Sequence, residues 1–303
     1  MNPIIKQAIN FFFYETSKIF ILLISIIFIV SFLRSYLQAD KIKEFLSKKH
    51  TIVGNILASI IGTITPFCSC SAIPLFIGFL QAGIPLGITF SYLIAAPMVN
   101  EIAFVLLLSS FGWKIALLYW AVGIFLAISI GFLLGKLNLE KYVEDFIWKI
   151  KTKNTQTETL EQLSLKQRAI NAFFYTKELV KSIFIWIILG VAIGAFIHGF
   201  VPQELILKYC SKDNPFAVFW AVLIGVPIYA NAAGSVPIIN ALVQKGLPIG
   251  TALALMMSIT ALSLPEIMIL RRVLKPKLLF IYVGIVSCGI LLVGYLFNLL
   301  KLN

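Results

Sequence analysis

Charged side chains are scarce in this sequence. Asp, Glu, Lys and Arg make up 13% of the 303 residues, hydrophobic types make up 60%, and the mean hydropathy is strongly positive. No ordinary water-soluble domain has this composition, so a soluble fold is excluded. Apolar runs such as 86–111 and 115–134 reach the roughly 20 residues that span a bilayer core.

Residues that form metal sites or disulfides are also few. Of the four cysteines, only Cys68 and Cys70 are close in sequence, and His50 and His198 are isolated. Neither a disulfide framework nor a structural zinc site is therefore predicted. The sequence contains no Gly-rich phosphate loop, so any use of ATP would need a separate subunit. We expect no catalytic residue, no cofactor and no enzymatic activity.

The apolar runs predict an all-α membrane protein. Helices are expected because hydrocarbon offers the backbone no hydrogen-bond partner, and because the runs do not alternate as barrel strands do. The run that ends at Arg34 has no cleavage pattern, so it is expected to remain in the mature protein. The net charge of +12 comes from short loops rather than a basic domain. The expected partners are therefore the lipid bilayer and a small molecule, not nucleic acid.

The sequence repeats itself. The pattern at 8–14 returns at 169–175, and six downstream residues recur at one constant spacing, which we call the repeat offset. The matched pairs are Gly62 and Gly225, Pro74 and Pro237, Gln81 and Gln244, Gly83 and Gly246, Pro85 and Pro248, and Gly87 and Gly250. We therefore predict a first membrane repeat at 1–136, a polar linker at 137–167 and a second membrane repeat at 168–303.

Each repeat is predicted to contain a spanning helix, a broken apolar segment and two further spanning helices. The broken segments, 51–83 and 214–246, are too long for one crossing, and the first is expected to be cut at Pro66 and Pro74. Each segment forms either a re-entrant pair of half-helices or two short crossings. Both alternatives give an odd number of crossings per repeat, so the two repeats have inverted topology.

The basic residues give an independent prediction of orientation. The loops 34–49, 136–181 and 271–277 hold most of the 25 Lys and Arg residues. By the positive-inside rule these loops are cytoplasmic. The chain is therefore predicted to be a multi-pass protein of the cell (inner) membrane, with both termini outside and the linker in the cytoplasm.

The first break is the strongest candidate for a binding site. It places Pro66, Cys68, Ser69, Cys70 and Ser71 in an interrupted stretch of an apolar segment. Irregular backbone at this depth is tolerated only where protein or a water-filled cavity surrounds it. Both thiols could bind a soft species such as trivalent arsenic or a cuprous ion. The alternative is that the cysteines are small packing residues.

The second break has no thiol. It offers Tyr229 and Asn231 as hydrogen-bonding groups, followed by Gly234, where backbone can approach a ligand, and Ser235. By the repeat offset, Asn231 corresponds to Cys68. The alternative is that Asn231 forms a hydrogen bond between helices.

One carboxylate follows a proline late in each repeat. Asn100 and Glu101 follow Pro97, and an intramembrane ionisable residue is a functional candidate by default, so we predict that these two residues couple transport to protons. Glu266 lies five residues before Arg271. A structural ion pair or a side chain that extends to the membrane surface is the expectation there.

The residues 65–74, the Gln-x-Gly-x-Pro-x-Gly turns at 81–87 and 244–250, and Pro227-Ile228-Tyr229 resemble the predicted-permease family. This family includes the organoarsenical exporter ArsP and the YraQ-like permeases. The resemblance covers nearly the whole chain and implies an inner-membrane permease, with export of trivalent organoarsenicals in some members. Where those exporters place a further cysteine in the second break, this chain has Tyr229-Ala230-Asn231, so only Cys68 and Cys70 are carried over.

The resulting hypothesis is a permease that exports a soft, thiol-binding species such as a trivalent arsenical, either alone or as a homodimer. The alternative is a membrane-embedded redox protein that uses Cys68 and Cys70. A cysteine pair separated by one residue forms a strained disulfide, so this alternative is weaker. A channel-like or assembly subunit is a third alternative.

Overall fold

The computed structural model describes residues 3–34, 51–65, 69–145, 147, 165–200, 203–212, 214–228, 230 and 232–300. Over these ranges the chain is helical and has no β-strand, which confirms the all-α prediction. The α-helices are α1 (Pro3–Arg34), α2 (Thr51–Ile64), α3 (Ser69–Ala82), α4 (Leu86–Met98), α5 (Glu101–Lys136), α6 (Leu165–Phe200), α7 (Gln203–Tyr209), α8 (Ala217–Gly225), α9 (Ala232–Gln244), α10 (Ile249–Ala261), α11 (Leu264–Val273) and α12 (Pro276–Leu299).

Several helices have the character of membrane spans. Among the described residues, α5 and α12 are each long and apolar enough to cross a bilayer. The pair α10 and α11, bent by 40° at a short break, gives a third such element if it is counted as one span. Exposed apolar side chains such as Phe125, Phe280 and Leu292 cover the outside of the bundle, as expected for a protein in contact with lipid.

The same two helix contacts occur in both halves. A Cβ atom on Gly87 of α4 would lie 2.5 Å from the carbonyl oxygen of Gly131 in α5. One repeat offset later, a Cβ atom on Gly250 of α10 would collide with the carbonyl oxygen of Gly294 in α12. Small residues let membrane helices approach closely, so both pairs of backbones meet directly.

The second recurring contact joins the end of the first broken-segment helix to its neighbour. Gly62 of α2 lies against the backbone of Tyr92 in α4, where an added Cβ would be 3.0 Å from the carbonyl oxygen. Gly225 of α8 lies in the same way against Leu255 of α10. The turns after α3 and α9 also match, with Gly83 at φ 85° and Gly246 at φ 99°, a conformation that favours glycine.

The helix expected to be continuous over 86–111 is broken, so that prediction was wrong. The helix α4 ends at Met98, and α5 begins at Glu101 after the extended residue Asn100. Pro97 removes a backbone donor near the end of α4, and the Asn100 side chain accepts a hydrogen bond from the Ala103 N–H at 2.8 Å. The second half breaks at the equivalent place, where Leu262 and Ser263 separate α10 from α11.

The proline positions also differ from expectation. Pro74 was predicted to cut the broken segment, but it lies inside α3, and its counterpart Pro237 lies inside α9. Each proline stands in the second turn of its helix, where it removes a hydrogen bond close to the helix start. The break therefore falls before Ser69, while the other proline expected to cut the segment, Pro66, lies outside the described residues.

The two halves pack through equivalent helices. The helices α1 and α6 contact each other, as do α4 and α10, and the ring of Phe20 in α1 lies 5.1 Å from that of Phe184 in α6. In addition, α3 of the first half contacts α11 of the second, and α9 of the second half contacts α5 of the first. The broken segment of each half therefore packs partly on the other half.

The beginning of the linker packs against the helices. Leu139 and Val143 are buried, and the Glu144 N–H donates to the Val273 carbonyl oxygen at 2.9 Å. A 3.4 Å ion pair between Arg271 and Glu144 reinforces this contact. The segment that follows α5 is thus fastened to the turn between α11 and α12.

Candidate functional site

Five of the nine residues predicted to bind substrate lie at the starts of α3 and α9. Ser69, Cys70 and Ser71 form the first turn of α3, and Gly234 and Ser235 lie in the first turn of α9. Ser235 is fully buried. The remaining four predicted residues, Pro66, Cys68, Tyr229 and Asn231, are outside the part of the chain that the structure describes.

In the second half, the end of α8 lies beside the break between α10 and α11. The Leu264 N–H at the start of α11 donates to the Val226 carbonyl oxygen at 2.8 Å. Ser258 of α10 donates to the Val222 carbonyl oxygen at 2.8 Å. These bonds fix the end of α8 against the junction of α10 and α11. Each helix break leaves backbone polar groups without a partner inside the helix. The two breaks thereby concentrate such groups at one level of the bundle.

The break between α4 and α5 in the first half lies at Asn100, next to Glu101. Asn100 is 6% exposed and caps α5, so its amide serves to start that helix. Glu101 is partly buried, and its Oε2 atom has no hydrogen-bond partner among the described residues. A carboxylate in the first turn of a helix is stabilised by the positive end of the helix dipole. The structure therefore places one ionisable group near the start of α5, a helix that contacts α9.

The position of Glu266 corrects the expectation for that residue. Its side chain is fully buried, so it does not extend to the membrane surface. The ion pair that Arg271 forms is with Glu144 rather than with its neighbour on α11. A spacing of five residues turns a helix by well over one turn, which places the two side chains on different faces. Burial therefore excludes the alternative in which the Glu266 side chain extends to the membrane surface.

Two cavities lie elsewhere on the described surface. One, of about 650 Å³, lies between α1 and α6 and is mainly apolar, with Lys177 and Lys181 in its lining. The other, of about 540 Å³, includes Lys212, Thr251 and Asn298. Neither cavity is lined by a residue that was predicted to bind substrate. The described residues also contain no group of three or more His, Cys, Asp or Glu side chains that could hold a metal ion.

The remaining cysteines are in different environments. Cys210 is fully buried after α7, and burial raises the pKa of its thiol to about 11. Cys288 in α12 is exposed on the outside of the bundle. Because neither lies in a broken segment, both serve as internal references for experiments on Cys68 and Cys70.

Comparison with known proteins gives a consistent result. A family model described as predicted permease matches residues 4–299. The UPF0718 protein MJ0584 of Methanocaldococcus jannaschii is 23% identical and covers 84% of each chain. A Streptococcus mutans protein, described as a candidate two-component membrane permease complex subunit, is 23% identical over 86% of this chain and 85% of its own length.

A third relative is the UPF0718 protein YraQ of Escherichia coli. It is 22% identical over 80% of this chain and 66% of its own length. No solved structure matches the chain at a comparable level of significance. The family description and the Streptococcus mutans name point to membrane permeases rather than enzymes, and none of the names describes a redox protein.

Proposed function

Because this chain belongs to the predicted-permease family, we propose that it moves a small solute across the cell (inner) membrane along a path between its two halves. The observation that carries this proposal is the reciprocal packing of the broken segments. The helix α3 contacts α11 and α9 contacts α5, so the helix that follows each break meets the other half. Binding sites of transporters with internal repeats lie at such interfaces, where helices are interrupted.

The broken segments are proposed to be re-entrant. Gly54 near the start of α2 packs against Ile88, and the turn at Gly83 joins the end of α3 to the start of α4. The segment 51–83 therefore begins and ends at the same level along α4. Its helices have 14 residues each. A length of about 21 Å per helix is shorter than the bilayer core of about 30 Å, which favours half-helices over full crossings.

Inverted topology of the two halves is proposed as well. The backbone break at Gly112 in α5 corresponds by the repeat offset to Lys275 between α11 and α12. We propose that these equivalent breaks lie on opposite sides of the membrane, with both termini outside and the linker in the cytoplasm. The loops after Lys136 and around Lys275 were both predicted to be cytoplasmic. Their direct contact through Val143 and Leu274 supports this orientation.

The proposed substrate is a soft, thiol-binding solute such as a trivalent arsenical, and the proposed direction is export. Cys68 and Cys70 would bind it through sulfur, since soft ions prefer thiolates to oxygen donors. Ser69, Ser71 and Pro66 are proposed to belong to the same site. Tyr229, Asn231, Gly234 and Ser235 would complete the site from the second half. Ser235 is already enclosed, which suits a side chain that lines a path rather than one in contact with lipid.

Glu101 is the proposed proton carrier of the first half, and Asn100 holds the start of its helix. A carboxylate oxygen that is buried without a hydrogen-bond partner among the described residues is available to a proton or a ligand. The lipid bilayer and the solute are the proposed partners. A homodimer is proposed as the assembly. The alternative to test against it is a complex of two different subunits, because the Streptococcus mutans relative is named as a subunit of a two-component complex.

The test is accumulation in cells. The chain is expressed in a host that lacks its own exporters, and cells are exposed separately to methylarsenite, arsenite, antimonite, cuprous ion and sulfite. We expect lower accumulation of at least one of these solutes. We further expect the effect to disappear in Cys68→Ser and Cys70→Ser but to persist in the control Cys288→Ser, whose thiol is exposed outside the bundle.

Two outcomes of this experiment would contradict the proposal. Unchanged accumulation of every solute in the panel would remove the proposed substrate class. Full activity in a variant that lacks both Cys68 and Cys70 would remove the thiols from the mechanism. Membrane insertion of each variant is checked by fractionation, so that a loss of activity is not mistaken for a loss of protein.

A further inference from the structure

The larger of the two cavities is an apolar groove with two positive charges in its lining. It has a volume of about 650 Å³ and lies between α1 and α6. This volume falls in the range of roughly 300–1,000 Å³ that is typical of ligand sites. The apolar part of the lining is formed by Ile24, Phe28, Phe173, Val180 and Phe184. The polar part is formed by Ser25, Thr176, Lys177 and Lys181, and we call this cavity the lysine groove.

The two lysines of the groove lie on one face of α6. Lys177 and Lys181 are four residues apart, about one helical turn, and both side chains are exposed. Like charges at this spacing destabilise a helix, and a charged side chain beside hydrocarbon is costly as well. The Thr176 hydroxyl donates to the Ala172 carbonyl oxygen at 2.7 Å, so its proton is already used. An anion that binds both ammonium groups would offset these costs.

The acidic residues near the groove leave the two lysines unpaired within the described part of the chain. The sequences of α1 and α6 contain one acidic residue each, Glu15 and Glu178. Glu15 precedes Ser25 of the lining by ten residues, which is about 15 Å along a helix axis. Glu178 is outside the lining, and it forms no ion pair with Lys177 or Lys181, all three being described residues. The helix α11 also packs on α6, but it contributes none of the described lining residues.

The first half has no counterpart of the two lysines. The pattern at 8–14 returns at 169–175, and at this spacing Lys177 corresponds to Thr16 and Lys181 to Phe20. Residues that the shared helix contacts require recur in both halves, as the glycines of those contacts do. Two exposed lysines that occur in one half only are therefore not required by the shared packing. A ligand that is bound by one half accounts for them.

The groove is open to the surrounding lipid. The side chains of Ile24, Phe173 and Phe184 are 45%, 59% and 46% exposed on the outside of the bundle. The lysines lie in the half of α6 that follows the linker, which the proposed orientation places toward the cytoplasm. Lysine side chains can extend along a helix to the level of the lipid headgroups. The cytoplasmic leaflet contains anionic lipids, and basic pockets between membrane helices on this side bind their headgroups.

We propose that the lysine groove binds one phospholipid whose headgroup carries a net negative charge. Its phosphate oxygens accept hydrogen bonds from the ammonium groups of Lys177 and Lys181. One acyl chain lies along the apolar side chains of Phe28, Phe173 and Phe184 and is removed from water together with them. The lipid bridges α1 and α6, the equivalent helices of the two halves, and stabilises their contact. This site goes beyond the proposed function and does not depend on which solute is transported.

Native mass spectrometry of the purified full-length protein tests this site, because it counts bound lipids and protein copies in one measurement. The protein is titrated separately with phosphatidylglycerol and with phosphatidylethanolamine, whose headgroup is neutral overall. We expect the first phosphatidylglycerol to bind about 25-fold more tightly, from about fivefold for each lysine. Glycerol phosphate has the same anionic group but no acyl chain, so it should not displace the lipid.

Three variants separate the charges of the groove from its apolar part. Lys177→Gln with Lys181→Gln should remove the preference for phosphatidylglycerol and leave weak binding of both lipids. Ser25→Phe keeps both charges but fills part of the groove, so it should weaken both lipids to a similar extent. The matched control, Lys166→Gln with Lys277→Gln, removes two exposed charges outside the lining and should retain the preference.

Equal binding of the two lipids by the unaltered protein would overturn the inference, and so would a preference that survives the loss of both lysines. Displacement of phosphatidylglycerol by glycerol phosphate would make the groove an anion site and not a lipid site. A protein dimer that excludes lipid and dissociates in Ser25→Phe would assign the groove to a second copy of the chain. If the double lysine variant is unstable, Lys181→Gln decides, because a fivefold loss supports the inference and no loss contradicts it. These measurements use no transported solute, so a failed accumulation assay leaves their outcome unchanged.

Discussion

The two halves of this protein share their packing but differ in their buried polar groups. Gly62 and Gly87 recur as Gly225 and Gly250 in the same helix contacts, whereas the partners of Tyr119 and Tyr282 differ. Close backbone contacts tolerate no side chain, so they are retained in both copies. Polar groups off these contacts are free to diverge. The comparison separates what holds the bundle together from what a transport cycle could use.

The largest expected effect comes from the shared contacts. Gly87→Leu and Gly250→Leu should each destabilise the protein by about 3 kcal/mol or more, because each new side chain meets backbone atoms that cannot move aside. The control is Gly284→Leu in α12, since no atom lies within 4 Å of the position of its Cβ. Thermal unfolding in detergent measures the difference. Equal melting temperatures for Gly87→Leu and the control would contradict the packing account.

The next comparison uses the two tyrosines. Tyr119→Phe removes a hydrogen bond to the end of α4 and should cost about 1 kcal/mol of stability. Tyr282→Phe removes no such bond within the described residues, so it should cost less. Thermal unfolding of the two variants checks the order. A larger loss for Tyr282→Phe would show that its hydroxyl is structurally bound.

A smaller effect is expected at the linker. Arg271→Ala breaks the ion pair with Glu144. The side chain of Arg271 is 41% exposed and that of Glu144 is 31% exposed. Pairs as accessible as this one contribute about 0.5 kcal/mol, and salt screens them. We expect a slightly lower melting temperature at low salt and no difference at high salt. A large loss that persists in high salt would mean that this contact stabilises the bundle in another way.

The smallest effect concerns a single thiol. Burial raises the pKa of Cys210 to about 11, so little of it is thiolate near neutral pH. Its alkylation by a maleimide should be slow at about pH 7 and faster as the pH approaches the raised pKa, because the thiolate is the reactive form. Mass spectrometry of the intact protein follows the reaction. Rapid labelling near neutral pH would contradict the buried position of this residue.

The sequence predicted the architecture better than the details of the breaks. Composition identified the all-α membrane class, and the glycines and prolines at the repeat offset identified contacts that recur in space. The break at Asn100 was missed because the apolar run continues across it, and only Pro97 marks it. Pro74 was assigned to a break because a proline near a helix start has the same sequence signal as one that ends a helix.

The site was less accessible to sequence reasoning. Glu266 was predicted either to form an ion pair or to extend to the membrane surface, because Arg271 is near it in sequence. Its burial excludes the second alternative. Tyr282 gave no signal of its own, since a tyrosine in an apolar run is ordinary. The difference between its hydroxyl and that of Tyr119 is visible only in the structure. The partners of a side chain depend on tertiary packing, which the repeat pattern alone does not specify.

The central claim is that equivalent parts of the two halves face opposite sides of the membrane. Lys114 and Lys277 correspond by the repeat offset, and both are exposed. Each is replaced by cysteine in a background that lacks the four native cysteines, and intact cells are treated with a membrane-impermeant maleimide. We predict that Lys114→Cys is labelled from outside and that Lys277→Cys is labelled only after the cells are opened. Labelling of both residues from the same side would contradict the inverted arrangement.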